Sequence, residues 1–197
     1  MNNNFCAKCR RAGTKLFLKG DKCFSTKCPM IKRPFPPGST STRQAKLSDF
    51  GIQLKEKQKA RHTYGLSESQ FKKYFKIASQ SGESTTEKFM EILESRIDNV
   101  IFRAGLTPSR ASARQLVSHR LATLNGKKIN IASILVKKED IIKIVKPPKN
   151  LKVASGNLPS WLSLHKKNLE ITINSKPKIT PEELGIDAQL IVEFYNR

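Results

Sequence analysis

Four cysteines, Cys6, Cys9, Cys23 and Cys28, fall within the first 28 residues and constrain that segment more than any other feature of the chain. Cys6-x2-Cys9, thirteen intervening residues and Cys23-x4-Cys28 make two pairs. Each pair can bite one ion, and four thiolates complete the tetrahedral shell of a structural Zn2+. A segment this short cannot bury a core, so the metal would supply its folding energy. A closed four-thiolate shell leaves no open position for metal catalysis. An iron-sulfur cluster also accepts four cysteines, although no electron-transfer context accompanies these. Disulfides are the remaining use of paired cysteines. The start Met1-Asn2-Asn3-Asn4 has no secretory character and no stretch is apolar enough to span a bilayer. Cytoplasm, with its reducing thiol pool, is therefore the expected compartment, and metal binding the expected chemistry.

Charge sets the second constraint. Thirty-seven Lys and Arg against 16 Asp and Glu give a formal net charge of +21. Such a surface repels itself unless a polyanion neutralises it, so a bound polyanion is expected as part of the normal state. The excess is uneven: residues 1–80 carry 18 basic and 4 acidic side chains. At 197 residues and 38% hydrophobic content the chain is lean for one large core. Two modest cores with extended segments fit better, and no internal repeat is present.

Residues 1–42 read as a metal-stapled arm, with nine Lys or Arg before Pro34, followed by the extended run Pro34-Phe35-Pro36-Pro37-Gly38-Ser39-Thr40-Ser41-Thr42. From Leu47 to Ser79 the apolar residues recur at helical spacing, broken near Gly65, which predicts two or three basic amphipathic helices. A longer helix is predicted from Thr86 to Ala104, with Phe89, Leu93, Ile97 and Val100 or Ile101 on one stripe and Gly105 as the stop. Thr107-Pro108 then offers an N-cap and first-turn proline for a short helix reaching Arg120.

Asn125-Gly126, between Leu121–Leu124 and Lys128–Ile131, predicts a tight hairpin, because this pair tolerates positive φ. A second hairpin is predicted from 133–136 and 141–145, and Leu169–Asn174 alternates like a further strand. Pro147-Pro148 and Ser155-Gly156-Asn157 read as loops, and the terminal element, 188–195, could be helix or strand. The fold class is α+β.

Arg43, Lys46, Lys55, Lys57, Lys59 and Arg61 are candidate phosphate contacts, and neutralising several phosphates implies strong salt dependence. Arg110 and Arg114 lie one helical turn apart, with Lys127 and Lys128 on the hairpin that follows. A helix plus a hairpin edge can recognise the shape of a folded RNA backbone. Lys8, Arg10, Arg11, Lys22 and Lys27 surround the cysteines and would favour their thiolate form. Tyr64, Phe71, Tyr74 and Phe75 could stack on bases, but their spacing suits helix packing better.

Catalysis finds little support. His62, His119 and His165 are widely separated without partner carboxylates, and neither a nucleophile elbow nor a phosphate-cradling GxxxxGK loop is present. No enzyme activity and no small-molecule substrate are expected.

The run Arg43 to Phe75, containing Tyr64-Gly65 and Gln70-Phe71, resembles the helical domain of the family of bacterial small-subunit ribosomal protein four. Arg96-Ile-Asp-Asn-Val-Ile-Phe-Arg-Ala-Gly105, Ser109-Arg-Ala-Ser-Ala-Arg-Gln-Leu-Val117 and Asn125-Gly126 are similar to that family's small RNA-binding module, which also occurs in some tRNA synthetases and pseudouridine synthases. The paired cysteines, Pro36-Pro37-Gly38 and Leu190-Ile-Val-Glu-Phe-Tyr195 extend the resemblance over nearly the whole chain. Two departures stand out: Ser39-Thr40-Ser41 in place of a Gln-His-Gly-like turn, and Arg120-Leu121 in place of Gly-His.

The resemblance implies a structural, rRNA-binding constituent of the small ribosomal subunit that nucleates assembly of the subunit body. It also implies proximity to mRNA where it enters the subunit, beside ribosomal proteins three and five, and a contribution to translational accuracy. It further implies a zinc arm (1–42), a helical rRNA-binding domain (43–86, completed by about 179–197) and an inserted RNA-binding module (87–178). The implied RNA contacts add Arg10, Arg11, Lys15, Lys22, Lys27, Lys32, Arg33, Tyr64, Gln115, His119 and Asn125 to those above. A module-borrowing RNA-modifying enzyme would need a catalytic domain, for which no segment has room.

Overall fold

The computed structural model describes residues 4–38, 46–146, 158–178 and 185–197. Arg43, residues 39–42 of the predicted extended run, Pro147-Pro148 and Ser155-Gly156-Asn157 lie outside them. The chain divides into two units: Met1–Thr86 with Thr180–Arg197, hereafter the helical unit, and Glu87–Ile179, the sheet unit. Among the described residues no helix is long and apolar enough to cross a membrane.

The helical unit begins with α1 (Phe5–Ala12), whose N-cap Asn4 accepts the Ala7 N–H through its side chain and whose C-cap Gly13 takes the left-handed conformation. Two single-turn helices follow, α2 (Asp21–Phe24) and α3 (Pro29–Lys32), the latter with proline at its first position. Cys9, Ala12 and Leu16, joined by Leu18 and Met30, form a small apolar cluster. Two longer helices, α4 (Asp49–Thr63) and α5 (Glu68–Ser79), are capped by the Ser48 and Ser67 hydroxyls, and Gly65 at φ 62° makes the turn between them.

The carboxyl-terminal segment, whose type was open between helix and strand, is a helix (Ala188–Tyr195) capped by Asp187 and packed on α4. Its aromatic end explains the docking. The Tyr195 ring stacks on Phe75 at 4.5 Å, its hydroxyl donates to Glu68 Oε1 at 3.1 Å, and Gln53 donates to Glu193 at 3.0 Å.

In the sheet unit the predicted long helix is two helices, α6 (Thr85–Glu94) and α7 (Ile97–Arg103), with Arg96 extended between them at φ −68°, ψ 134°. The break has a tertiary cause. Ile97 N–H donates to Ile134 carbonyl at 2.9 Å, Val136 N–H donates to Ser95 carbonyl at 2.8 Å, and Arg96 forms an isolated bridge with Leu135. Backbone groups that would have continued the helix are satisfied by a passing segment instead. The next helix, α8 (Arg110–Ser118), starts later than predicted because Ser109, rather than Thr107, supplies the cap.

Five short strands follow: β1 (Ala122–Leu124), β2 (Lys127–Ile129), β3 (Ile141–Ile144), β4 (Leu162–His165) and β5 (Glu170–Ile173), all antiparallel in the order β2-β1-β3-β5-β4. The Asn125-Gly126 hairpin is present, with φ of 49° and 80° at the two turn residues. The second predicted hairpin is not. Residues 133–136 form no strand, and β3 pairs with β1 and β5. One face of the sheet, through Ile142, Ile144, Ile171 and Ile173, buries against Ile97, Val100, Ile101, Leu116, Val117 and Trp161. The α+β expectation holds as helices plus a small antiparallel sheet.

Candidate nucleic-acid interface

The cysteine arm is assembled by α1, which carries Cys6 and Cys9, by α2, which carries Cys23, and by α3, whose N-cap is Cys28. Cys6, Cys9, Cys23 and Cys28 line a single small cavity with Phe5, Leu18, Pro29 and Met30, and all four are free thiols. Among the described residues no group of three or more His, Cys, Asp or Glu side chains stands at metal-coordinating geometry. Lys19 N–H donates to Cys23 Sγ at 3.3 Å. Burial pushes the Cys9 thiol up, the charges of the other three cysteines add to this, and a backbone hydrogen bond from Leu16 opposes it.

Of the arm's cations, Arg11, Lys15, Lys22, Lys27, Lys32 and Arg33 are exposed. Arg10 is turned to an internal task, with Nε donating to Phe35 carbonyl at 2.7 Å and a terminal nitrogen to Pro36 carbonyl at 3.4 Å. Phe17 and Phe24 are also exposed, stacked on each other with ring centroids 5.0 Å apart.

On α4 the basic run divides. Lys46, before the helix, and Lys55 are exposed. Lys57 is buried: its ammonium donates to Glu68 Oε1 at 2.6 Å and lies over the Phe194 ring at 4.4 Å and the Tyr195 ring at 5.8 Å. Lys59 pairs with Glu56 at 3.2 Å, Arg61 lies 3.5 Å from Glu68, and Tyr64 is core. Burial acts to raise the Glu68 carboxyl, but the Lys57 hydrogen bond and charge, the Tyr195 hydroxyl and Arg61 outweigh it, leaving a net shift below the usual range. Burial, then the charges of Arg61 and Lys8, push His62 down to about 4, so it is neutral at pH 7. Exposed cations of this unit that the sequence reasoning passed over are Lys72, Lys73 and Lys76, on the α5 face opposite buried Phe71, Tyr74, Phe75 and Ala78. The helical spacing of those four core residues was the available signal.

In the sheet unit two buried carboxylates organise the arginines. Asp98 accepts from Arg96 (Nε to Oδ1 at 3.0 Å, Nη2 to Oδ2 at 2.7 Å) and from Arg114 (Nε at 2.9 Å and Nη2 at 2.7 Å, both to Oδ2). Glu94, fully buried, accepts from Asn99 at 2.6 Å and from Arg103 at 2.9 and 3.0 Å. Arg110 donates to Asn99 Oδ1 at 2.7 Å and lies over the Phe102 ring at 4.5 Å, with its side chain only 12% exposed. Arg114 keeps 36% of its side chain exposed.

Gln115, His119, Asn125, Lys127 and Lys128 are exposed on α8, at its end and on the hairpin. Asn125 has a second task. Its amide donates to Asp140 at 2.8 Å and its carbonyl accepts from Ile141 N–H at 2.8 Å, tying the turn to β3. Arg120, between α8 and β1, is exposed in the left-handed region at φ 58°.

These surfaces can do one kind of chemistry. Exposed Lys and Arg on short helices and strands offer phosphate contacts at fixed spacings.

Two family profiles match the chain: "Ribosomal protein S4/S9 N-terminal domain" over residues 2–94 and "S4 domain" over residues 95–142. The chain is similar to the small ribosomal subunit protein uS4 of Dictyoglomus turgidum, 45% identical over 198 residues, covering 98% of this chain and 96% of the relative. It is also similar to the small ribosomal subunit protein uS4A of Symbiobacterium thermophilum, 42% identical over 98% of this chain and 96% of the relative. The corresponding figures for the uS4A protein of Nitrosomonas europaea are 42%, 99% and 98%.

Proposed function

The chain belongs to the ribosomal protein uS4 family, and from that premise we propose that it serves as a structural, rRNA-binding constituent of the small ribosomal subunit. The observation that carries this is 42–45% identity, over nearly the full length, to proteins named for that subunit. The family is one of structural ribosomal proteins, not enzymes.

The finer roles follow from where the cations stand. The helical unit offers Lys15, Lys22, Lys27, Lys55, Lys72, Lys73 and Lys76, and the sheet unit offers Arg114, Gln115, His119, Lys127 and Lys128. Each unit can engage its own stretch of RNA, which suits a protein that binds early and holds the strands of a helical junction for assembly of the subunit body. Contact with mRNA where it enters the subunit, neighbourhood with ribosomal proteins three and five, and a part in translational accuracy belong to the same proposal.

The arm holds one structural zinc ion in this proposal. Its support is the donor set: four sulfurs line one cavity, and Lys19 and Lys22 bring positive charge to its wall. A divalent cation would supply what the buried Cys9 thiol needs to ionise. When bound, zinc supplies cross-linking and no reaction. The buried Cys9, Cys23 and Cys28 and the half-buried Cys6 would hold it.

Hydroxyl-radical footprinting of small-subunit rRNA with and without the protein tests the main proposal. Protection gathered around one junction, and retention on small subunits through a high-salt wash, are expected; equal protection of a scrambled transcript rejects it. Elemental analysis should find about one zinc per chain, and chelation should melt residues 4–38 while leaving the sheet unit folded. Stoichiometric iron with visible absorption would replace zinc by a cluster, and absence of both metals from native material rejects the metal site.

A further inference from the structure

We infer that Phe17 and Phe24 form a platform on which one unpaired base of the rRNA stacks, an inference that rests on the RNA-binding proposal above. Phe24 is 75% exposed and Phe17 41% exposed, while Leu16 and Leu18, which flank Phe17, turn into the arm's apolar cluster. The two rings are held 5.0 Å apart at an interplanar angle of 28°, so they present stacked aromatic surface to solvent rather than to the core.

The backbone carries an independent sign. Phe17 sits at φ 50°, a left-handed conformation that is an outlier for a bulky aromatic residue. Outliers of this kind persist where the surroundings over-determine them, and they collect at ligand contacts. Here the strain turns Phe17 outward, against Phe24.

Charge selects the occupant. Lys15, Lys19, Lys22 and Lys27 are exposed within four residues of one ring or the other, and Asp21 is the only acidic residue among the first 48. Aromatic rings set among cations are the arrangement that binds single-stranded nucleic acid, with the rings taking a base and the cations its flanking phosphates. Bases inside an A-form helix are already stacked, so the base must come from a loop, bulge or junction.

The test uses the full-length, metal-loaded protein and a small-subunit rRNA transcript. Phe24→Ala should lower affinity by about 10-fold or more with the salt slope unchanged, since no phosphate contact is lost, and Phe24→Trp should restore it. Replacing Lys22 and Lys27 with alanine should instead reduce the salt slope by about two. Ultraviolet irradiation of the wild-type complex should yield a Phe24–nucleotide adduct by mass spectrometry. Wild-type affinity in a folded Phe24→Ala protein, or no adduct, overturns the inference. A Phe24→Ala protein that changes its sedimentation coefficient but not its rRNA affinity assigns the pair to contact with a second copy, and overturns it too. If the wild-type protein itself fails to prefer rRNA over a scrambled transcript, the RNA-binding proposal falls first and this inference with it.

Discussion

The arginines of the sheet unit and the lysines of the helical unit carry the same charge to opposite ends. Arg96, Arg103, Arg110 and Arg114 gather around two buried carboxylates, Asp98 and Glu94, and so build the fold they belong to. Lys72, Lys73 and Lys76 stand exposed on α5, opposite its buried aromatic face. Lys57 shows that residue type does not decide this. It is a lysine that behaves like the arginines, because its helix phase points it at Glu68 and the ring of Tyr195. Carboxylates beside Lys57 and Arg110 hold those cations in the fold, whereas Lys72, Lys73 and Lys76 stand in solvent.

Removing the shared carboxylate is the hardest blow to this contrast. Asp98→Ala strands Arg96, 3% exposed, without its main partner, and the sheet unit should lose about 3–5 kcal/mol. Thermal unfolding measures it; a loss below about 1 kcal/mol would show that the arginine network is not what holds this unit.

The converse change leaves stability alone. Lys72, Lys73 and Lys76 replaced together by alanine should keep the melting temperature while rRNA affinity falls, with the slope of log affinity against log salt reduced by up to about three. Lys57→Ala should do the reverse, costing about 1–3 kcal/mol and leaving that slope unchanged. Both substitutions behaving alike in the two assays would erase the distinction.

Acid should weaken the helical unit by a smaller amount. His62 binds its proton near pH 4 when folded and near 6.5 when unfolded, so its contribution is complete above 6.5 and is lost as pH falls toward 4. After solvent screening this amounts to about 1–2 kcal/mol. Glu68, also shifted down, loses its contribution in the same direction as pH falls further. Subtracting the unfolding profile of His62→Gln from that of wild type isolates the histidine, and a flat difference between pH 7 and 4 would contradict the assignment.

Arg120→Gly should give the smallest change. It relieves a left-handed residue at φ 58°, so stability should rise by up to about 1 kcal/mol, at the loss of one exposed cation. Equilibrium unfolding in urea reads the sign.

Much of this fold was legible because it rests on local rules. The hairpin at Asn125-Gly126 follows from the positive φ its turn demands, and α5 follows from Phe71, Tyr74, Phe75 and Ala78. The break at Arg96 was not legible, since Ile134 and Leu135, almost forty residues on, make it. Strand 133–136 failed for a related reason: its backbone is taken up by the α6–α7 break, which leaves β3 to pair elsewhere.

For the site, the spacing of the cysteines was enough to bring them to one cavity. The basic run on α4 was harder to place, because Lys55, Lys57, Lys59 and Arg61 recur every second residue. At 100° per residue, neighbours in that series point to opposite sides of the helix. Arg110 and Arg114 share a face, but nothing local reveals that Glu94 and Asp98 wait beneath it.

The sheet ends on one side at β2, three residues long, carrying Lys127 and Lys128. An open strand edge is a template on which another chain can grow. Two ammonium groups along so short an edge make a second copy repel rather than zip on, which opposes aggregation through this sheet.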